Sequence, residues 1–254
     1  MRRCFCILLL ACASSLSRGR PEKEPTLAER MASAYDAVQT VSCEIRRRWD
    51  SPDGRITMNS RVYWQRPRKL HVDNFSPLRR RYVCDGKNFF YHIRGDERGF
   101  SRPVEKLDAD WQLRLDVVPG TAMDLLIPLR GIAEVALEGE EAGNGVRRGY
   151  VLEDGFAVLH ADAQGRLVRY ERFARQGDDR PVLEVSYSHF EEVLDGVWIP
   201  MRHRTVARGN GRTRVETTQV RHMEVNKPLA ERLFVAEPYF EGVRFVDSFE
   251  KIYK

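Results

Sequence analysis

The chain has 254 residues, of which 42% are hydrophobic and 31% charged, and its formal net charge is +5. This composition excludes a disordered or low-complexity chain and provides enough apolar residues for one sizeable core. We predict a single domain, because no linker rich in Ser, Gly or Pro divides the chain. The charge includes Arg-Arg-Arg triplets at residues 46–48 and 79–81. We expect these triplets to lie on solvated faces or to meet anionic lipid headgroups, rather than nucleic acid.

The N-terminus has the features of a secretory leader. Arg2 and Arg3 precede an apolar run over residues 4–11. This run is too short to span a bilayer, since a spanning helix needs about 20 apolar residues. We therefore predict a signal peptide over residues 1–11, whose removal lowers the net charge by two, from +5 to +3.

Two cleavage sites compete at the end of this leader. The sequence Leu9-Leu10-Ala11-Cys12 resembles the lipobox of bacterial lipoproteins, in which Cys12 would become the first residue and carry the lipid. Ordinary secretion with cleavage after Ala13 is the alternative. With Cys12 as the lipidation site, we expect a periplasmic protein anchored to the outer membrane, with residues 12–25 as a flexible tether.

The five cysteines divide by position. Cys4 and Cys6 leave with the leader, and Cys12 is the candidate anchor, so Cys43 and Cys84 remain in the fold. The oxidising periplasm permits a disulfide between these two residues. Two buried free thiols that pack as small apolar side chains are the alternative.

The first predicted element is a helix. Thr26 and Glu29 have the spacing of a capping box, in which each side chain accepts a hydrogen bond from the other residue's backbone. Apolar residues then recur at helical spacing from Leu27 to Val38. The pattern predicts an amphipathic helix over residues 27–40.

From Val41 the hydrophobic period changes to two, and turn sequences separate the runs, which predicts a meander of antiparallel strands. Large apolar residues at alternate positions of these strands are candidates to line a cavity, although any barrel also needs a filled core. The candidate cavity residues are Trp49, Met58, Val62, Trp64, Leu70, Val72, Phe89, Tyr91 and Ile93.

Residues 104–136 interrupt the strand pattern. A segment that is apolar nearly all round follows Gly120, so it must be covered on most sides. We predict one or two short helices that lie in the mouth of the sheet as a movable lid. The apolar residues of this lid are Met123, Leu125, Leu126, Ile127 and Leu129.

Strand patterns resume after this insert and continue almost to the C-terminus. The fold class is therefore mainly β with helices (α+β), an incomplete antiparallel β-barrel of about 10–11 strands with an N-terminal helix and a helical lid or plug. We place this domain at residues 26–245 and a C-terminal tail at 246–254. The later strands are predicted at residues 148–154, 156–162, 166–174, 181–190, 197–208 and 212–225.

The sequence carries no catalytic signature. It has no nucleophile elbow, no phosphate-binding loop and no zinc-binding helix motif. Its six histidines occur singly on predicted strands, without the spacing of paired metal ligands. We predict no catalytic residue, no metal site and no cofactor, and interpret the protein as a non-enzyme.

Two stretches carry a family resemblance. Residues 62–72 read Val-Tyr-Trp-Gln-Arg-Pro-Arg-Lys-Leu-His-Val, and residues 83–91 read Val-Cys-Asp-Gly-Lys-Asn-Phe-Phe-Tyr. An aromatic strand ending in Arg-Pro, followed by a strand ending in Asp-Gly-Lys before further aromatics, resembles the LolA-like lipoprotein carrier family. The resemblance covers residues 26–240 and includes Asn226, Leu229 and Phe234 near the end.

The resemblance implies an incomplete barrel whose helices plug a cavity for acyl chains. It also implies that Arg66 donates hydrogen bonds to the lid, near residues 127–131, and so controls opening. The predicted function is an envelope protein that binds lipid or acylated lipoproteins, with a role in lipoprotein transport or sorting. The alternative is a non-enzymatic sensor or scaffold that uses the same fold to regulate a membrane protein partner.

Overall fold

A computed structural model describes residues 24–51, 54–137 and 145–252. The predicted leader, Cys12 and most of the predicted tether lie outside these residues. The strands, in chain order, are β1 Thr40–Ser51, β2 Gly54–Gln65, β3 Lys69–Ser76, β4 Arg80–Asp85, β5 Asn88–Ile93, β6 Arg98–Pro103, β7 Glu134–Ala136, β8 Val146–Leu152, β9 Gly155–Ala161, β10 Leu167–Phe173, β11 Leu183–Leu194, β12 Val197–Gly209, β13 Arg212–Val225 and β14 Arg244–Val246. The α-helices are α1 Leu27–Ser33, α2 Ala109–Asp116 and α3 Met123–Leu126, and a 3-10 turn, Ile127–Leu129, follows α3.

All the strands belong to one open sheet that consists of two meanders. Strands β1 to β6 form the first meander and β7 to β13 the second, and the pairing of β1 with β13 joins them. The strand order runs from β14 at one edge to β7 at the other, and these edges do not pair with each other. The structure therefore confirms a mainly β fold whose sheet curves without closing.

The number of strands differs from the prediction. The sheet has 14 strands instead of 10–11, because β6, β7 and β14 were not predicted. Strands β7 and β14 have three residues each, too few to show a period of two. Strand β14 also pairs with β6 in parallel, so the sheet is not wholly antiparallel.

The turns of the second meander follow the local sequence closely. Strands β12 and β13 match the predicted spans to within one residue. Asn210 and Gly211 join them, with φ angles of 51° and 71°. A two-residue hairpin of this type needs positive φ at both central positions, which Asn and Gly accept at low cost.

Helix α1 is shorter than the predicted helix over residues 27–40. The capping box is present, since Thr26 Oγ1 accepts a hydrogen bond from Glu29 N and the Glu29 carboxylate accepts one from Thr26 N. The helix nevertheless ends at Ser33, and the chain continues in turns until β1 begins. Val38 fits the helical spacing of apolar residues, but it lies after the end of the helix. It is buried because it packs into the cluster beneath the first meander.

The concave side of the sheet holds two hydrophobic clusters. One packs α2 against β1–β6 and the adjoining parts of β12 and β13. The other packs α1 and α3 against β8–β11. Cys43 and Cys84 belong to the first cluster as separate free thiols, and burial raises their pKa values to about 12 and about 11.

The segment predicted as a C-terminal tail packs on the sheet. It pairs with β6 through β14, and Gly99 allows this approach because a Cβ there would lie 2.9 Å from Phe245 Cε1. The chain then turns to the concave side, where the rings of Phe249 and Phe100 stack with centroids 4.1 Å apart. Ile252 is only 9% exposed. Residues up to Ile252 therefore pack against the core beneath the first meander.

Candidate ligand-binding pocket

An open pocket of about 370 Å³ lies on the concave side of the first meander. Strands β1 to β4 form its wall on one side, and α2 with the loop at residues 117–121 forms the other. Its volume lies in the range of small-molecule sites. The lining residues are Ile45, Arg47, Trp49, Met58, Ser60, Val62, Leu70, Val72, Asn74, Arg80, Tyr82, Trp111, Arg114, Val117, Pro119, Gly120, Thr121 and Asp124.

The apolar wall comes from alternate positions of neighbouring strands. Met58 and Val62 lie on one face of β2, and Leu70 and Val72 lie on the matching face of β3. Val62 is directly opposite Val72 in the antiparallel register. Because side chains alternate between the two faces of a strand, this register brings Val62, Leu70 and Val72 into one apolar surface, and Met58 lies beyond Ser60 on the same face of β2.

Helix α2 supplies the opposite wall. Asp108 caps it by accepting a hydrogen bond from Trp111 N at 2.9 Å. Trp111 and Arg114 are three residues apart, so they share the face that borders the pocket. The indole of Trp64 anchors the helix, since its Nε1–H donates to Leu115 O at 2.8 Å.

The structure divides the nine candidate cavity residues into two groups. Trp49, Met58, Val62, Leu70 and Val72 line the pocket. The other four do not reach it, because α2 and the C-terminal segment fill that part of the concave face. Trp64, Phe89 and Tyr91 are buried there, Ile93 is partly buried against the same cluster, and the rings of Phe89 and Trp111 are 5.0 Å apart.

The predicted lid residues lie between the two hydrophobic clusters. Met123 belongs to the cluster beneath the first meander, and Ile127 packs against it. Leu126 and Leu129 belong to the cluster around α1. These side chains are therefore buried or partly buried in the two clusters, while Asp124 of the same segment reaches the pocket.

Arg66 is not placed as the family resemblance implied. Its Nε donates to Val38 O at 2.9 Å and its Nη2 to Tyr35 O at 3.4 Å. Its guanidinium also lies over the Trp64 ring, 5.4 Å from the centroid. In the described residues its hydrogen bonds go to the segment after α1 and not to the insert. Arg66 follows β2 directly, and its backbone N–H donates to Gln39 O. This backbone hydrogen bond places the Arg66 side chain beside residues 35–39 rather than beside the insert.

Sequence reasoning missed the charged side chains of the pocket. Arg47, Arg80, Arg114 and Asp124 all border it. Arg47 shares a face with Ile45 and Trp49 of β1, so the period of two could have placed it there. Asp124 is open to water, yet the surrounding protein raises its pKa by removing part of its hydration.

A second cavity, of about 360 Å³, lies beneath α1 and beside β9 to β12. Its rim carries Arg166, whose guanidinium stacks on the rings of Phe190 and Trp198 at 4.8 and 5.0 Å. Arg166 is also paired with Asp162 at 2.7 Å. The charge of Arg166 is therefore already paired, and the cavity contains none of the predicted cavity-wall residues.

Comparison with solved structures identifies the type of fold. A putative outer membrane lipoprotein-sorting protein domain from Vibrio parahaemolyticus has a TM-score of 0.56 at 10% identity, covering 82% of this chain and 94% of that one. A LolA superfamily protein from Nitrosomonas europaea has a TM-score of 0.51 at 13% identity, covering 82% and 97%. The chain has a LolA-like fold.

A third solved structure agrees with this LolA-like fold. It is a DUF1329 family protein from Desulfovibrio piger, with a TM-score of 0.56 at 12% identity, covering 84% of this chain and 95% of that one. No protein-family profile and no curated protein sequence matches the chain. Within the described ranges, no helix is long and apolar enough to cross a membrane, and no group of three or more His, Cys, Asp or Glu side chains is arranged to hold a metal ion.

Proposed function

We propose that the protein binds the acyl chain of a lipid or of an acylated lipoprotein in the pocket between β1–β4 and α2. The observation that carries this proposal is the apolar surface of Val62, Leu70 and Val72 in an open pocket, with Met58 further along the same face of β2. Each CH₂ group transferred from water to such a wall contributes about 0.8 kcal/mol. Binding of this kind needs no catalytic group.

The proposed setting is the bacterial envelope, with lipoprotein transport or sorting as the role. The LolA-like fold and the predicted leader support this setting. Lipidation at Cys12 would hold the pocket near the outer membrane, where acylated cargo is delivered. The competing role is a sensor or scaffold for a membrane protein. Crosslinking in intact envelopes separates the two, since a mixture of lipoproteins supports sorting and one stoichiometric membrane protein supports the sensor.

The direct test is uptake of a fluorescent fatty acid by the purified protein, together with native mass spectrometry of gently extracted material. We expect Met58→Asp and Val72→Asp to weaken binding at least about tenfold, because a carboxylate on the apolar wall must lose hydration when the chain binds. Both side chains are only partly buried, so the fold should tolerate the change.

Val151→Asp is the matched control, because Val151 is a 55% exposed valine on β8 that does not line the pocket. It should bind the probe like the wild type. A wild-type protein that takes up no probe and carries no lipid contradicts acyl-chain binding. Equal binding by all the variants would place the probe outside this pocket.

A further inference from the structure

Three arginines line the pocket on the side of the hairpin tips. Arg47 comes from β1, Arg80 from β4 and Arg114 from α2. Two polar side chains of the sheet, Ser60 and Asn74, lie at the same end, and Asn74 is directly opposite Arg80 in the register. The pocket is thus apolar around Val62, Leu70 and Val72, and it carries arginines towards the tips of the hairpins.

These arginines have few close acidic partners in the described residues, and Asp124 is the acid of the pocket that interacts with Arg114 and Arg47. The acid nearest to Arg47 is Glu216, with Nε and Oε1 3.9 Å apart, and this Nε is buried without a hydrogen-bond partner. Within the part of the chain that the structure describes, Arg80 and Arg114 have no ion pair and no hydrogen bond from their side chains. By contrast, Arg81, the neighbour of Arg80 on the opposite face of β4, pairs with Asp73.

The arrangement has a chemical consequence. A buried donor without an acceptor is destabilising, and a phosphate or carboxylate supplies strong acceptors for several guanidinium N–H groups at once. An uncharged ligand head can accept hydrogen bonds from these donors, but it leaves the positive charge of the arginines without a counter-charge. Phosphate and carboxylate heads have in common a negative charge and two or more acceptor oxygens.

We infer that the pocket selects an anionic amphiphile, with its acyl chain on the β2–β3 wall and its phosphate or carboxylate head between Arg47, Arg80 and Arg114. This inference rests on the proposed acyl-chain binding and adds the class of head group. Asp124 disfavours binding of an anionic head, because its carboxyl group borders the same pocket. The arginines near it favour its ionised form, and its loss of hydration favours the neutral form.

The experiment compares three palmitoyl ligands by titration calorimetry on the full chain. They are 1-palmitoyl lysophosphatidic acid, palmitate and the uncharged monopalmitoylglycerol, all below their critical micelle concentrations. We expect the two anionic ligands to bind at least about tenfold more tightly than the neutral one at low salt, and this preference should shrink as salt rises. Of the two anionic ligands, the one that binds with the higher affinity identifies the preferred head group.

Variants then assign the preference to residues. Arg80→Gln and Arg114→Gln should each weaken binding of the anionic ligands by about three- to tenfold and leave the neutral ligand unchanged, while Arg114→Lys should retain most of the preference. Asp124→Asn should strengthen anionic binding. Arg202→Gln is the control, because Arg202 is exposed on β12 and does not line the pocket.

The neutral ligand distinguishes the two possible failures. If monopalmitoylglycerol binds as tightly as the anionic ligands, or if the Arg80 and Arg114 variants bind all three like the wild type, the head-group inference is overturned and acyl-chain binding stands. If none of the three ligands binds, the proposed function itself is overturned. Circular dichroism and thermal unfolding of each variant establish that the fold is retained.

Discussion

At the level of single residues, His203 shows how burial on the concave side changes the chemistry of a side chain. Its ring lies 5.1 Å from that of Tyr187, and its Nε2 lies 3.1 Å from Pro200 O. Burial lowers its pKa to about 4, and backbone hydrogen bonds at Pro200 and Gly120 only partly oppose this shift. The folded protein therefore holds a neutral imidazole beside the loop that borders the pocket.

This depressed pKa predicts a loss of stability in acid. Below the ordinary histidine pKa of about 6.5, the unfolded chain binds a proton that the folded chain accepts only near pH 4. The stabilising contribution is complete above about pH 6.5 and is lost as the pH falls towards 4. We expect the free energy of unfolding to fall by about 2 kcal/mol between pH 7.5 and 5 from this group alone.

Urea denaturation across this pH range measures the effect. His203→Gln should flatten the profile, whereas His189→Gln, at an exposed position on β11, should leave it unchanged. A profile for His203→Gln that is as steep as that of the wild type would assign the acid sensitivity to other groups.

At the level of elements, side-chain donors at and just after the end of β2 hold helix α2 and the turn after α1. Trp64 Nε1 fixes α2 through Leu115 O, and the Arg66 guanidinium fixes the turn after α1 through Val38 O and Tyr35 O. Isolated helices of this length are unstable in water, so such tertiary contacts determine where they lie. Trp64 near the end of β2 and Arg66 directly after this strand connect both segments to the same part of the sheet.

The contacts of Arg66 predict a local effect of its removal. Arg66→Leu keeps much of the side-chain volume but removes every donor, and hydrogen bonds from a charged group contribute about 1.5–3 kcal/mol each. Hydrogen exchange should therefore accelerate over residues 35–39 and stay unchanged over 121–135. Faster exchange over 121–135 alone would instead support Arg66 as a latch for the insert. Arg202→Gln serves again as a surface control.

At the level of the whole molecule, attachment to the membrane depends on Cys12, which lies outside the described residues. If Cys12 is the lipid site, radiolabelled palmitate should enter the wild type and not Cys12→Ser, and the variant should leave the membrane fraction. Several acyl chains on one cysteine would make the attachment effectively permanent, since one chain alone binds only marginally. Equal labelling of the two proteins would exclude the lipobox and favour cleavage after Ala13. Cys84→Ser provides a labelling control within the domain.

The parts of the fold that follow from local sequence could be predicted, and the parts that depend on distant contacts could not. The Thr26–Glu29 capping box and the hairpin at Asn210 and Gly211 depend on neighbouring residues, and both are present. The period of two placed apolar side chains on the concave face. It could not tell which of them α2 would cover, because that depends on the hydrogen bond between Trp64 and Leu115, 51 residues apart.

The parallel pairing of β14 with β6 has a consequence for association between copies of the protein. An exposed strand at the edge of a sheet offers unpaired backbone groups to a neighbouring molecule, and long exposed edges promote aggregation. Here the two outermost strands, β14 and β7, have only three residues each, whereas β6 has six. The end of the chain thus shields a longer edge, and a truncation before Arg244 would uncover β6 and favour edge-to-edge aggregation.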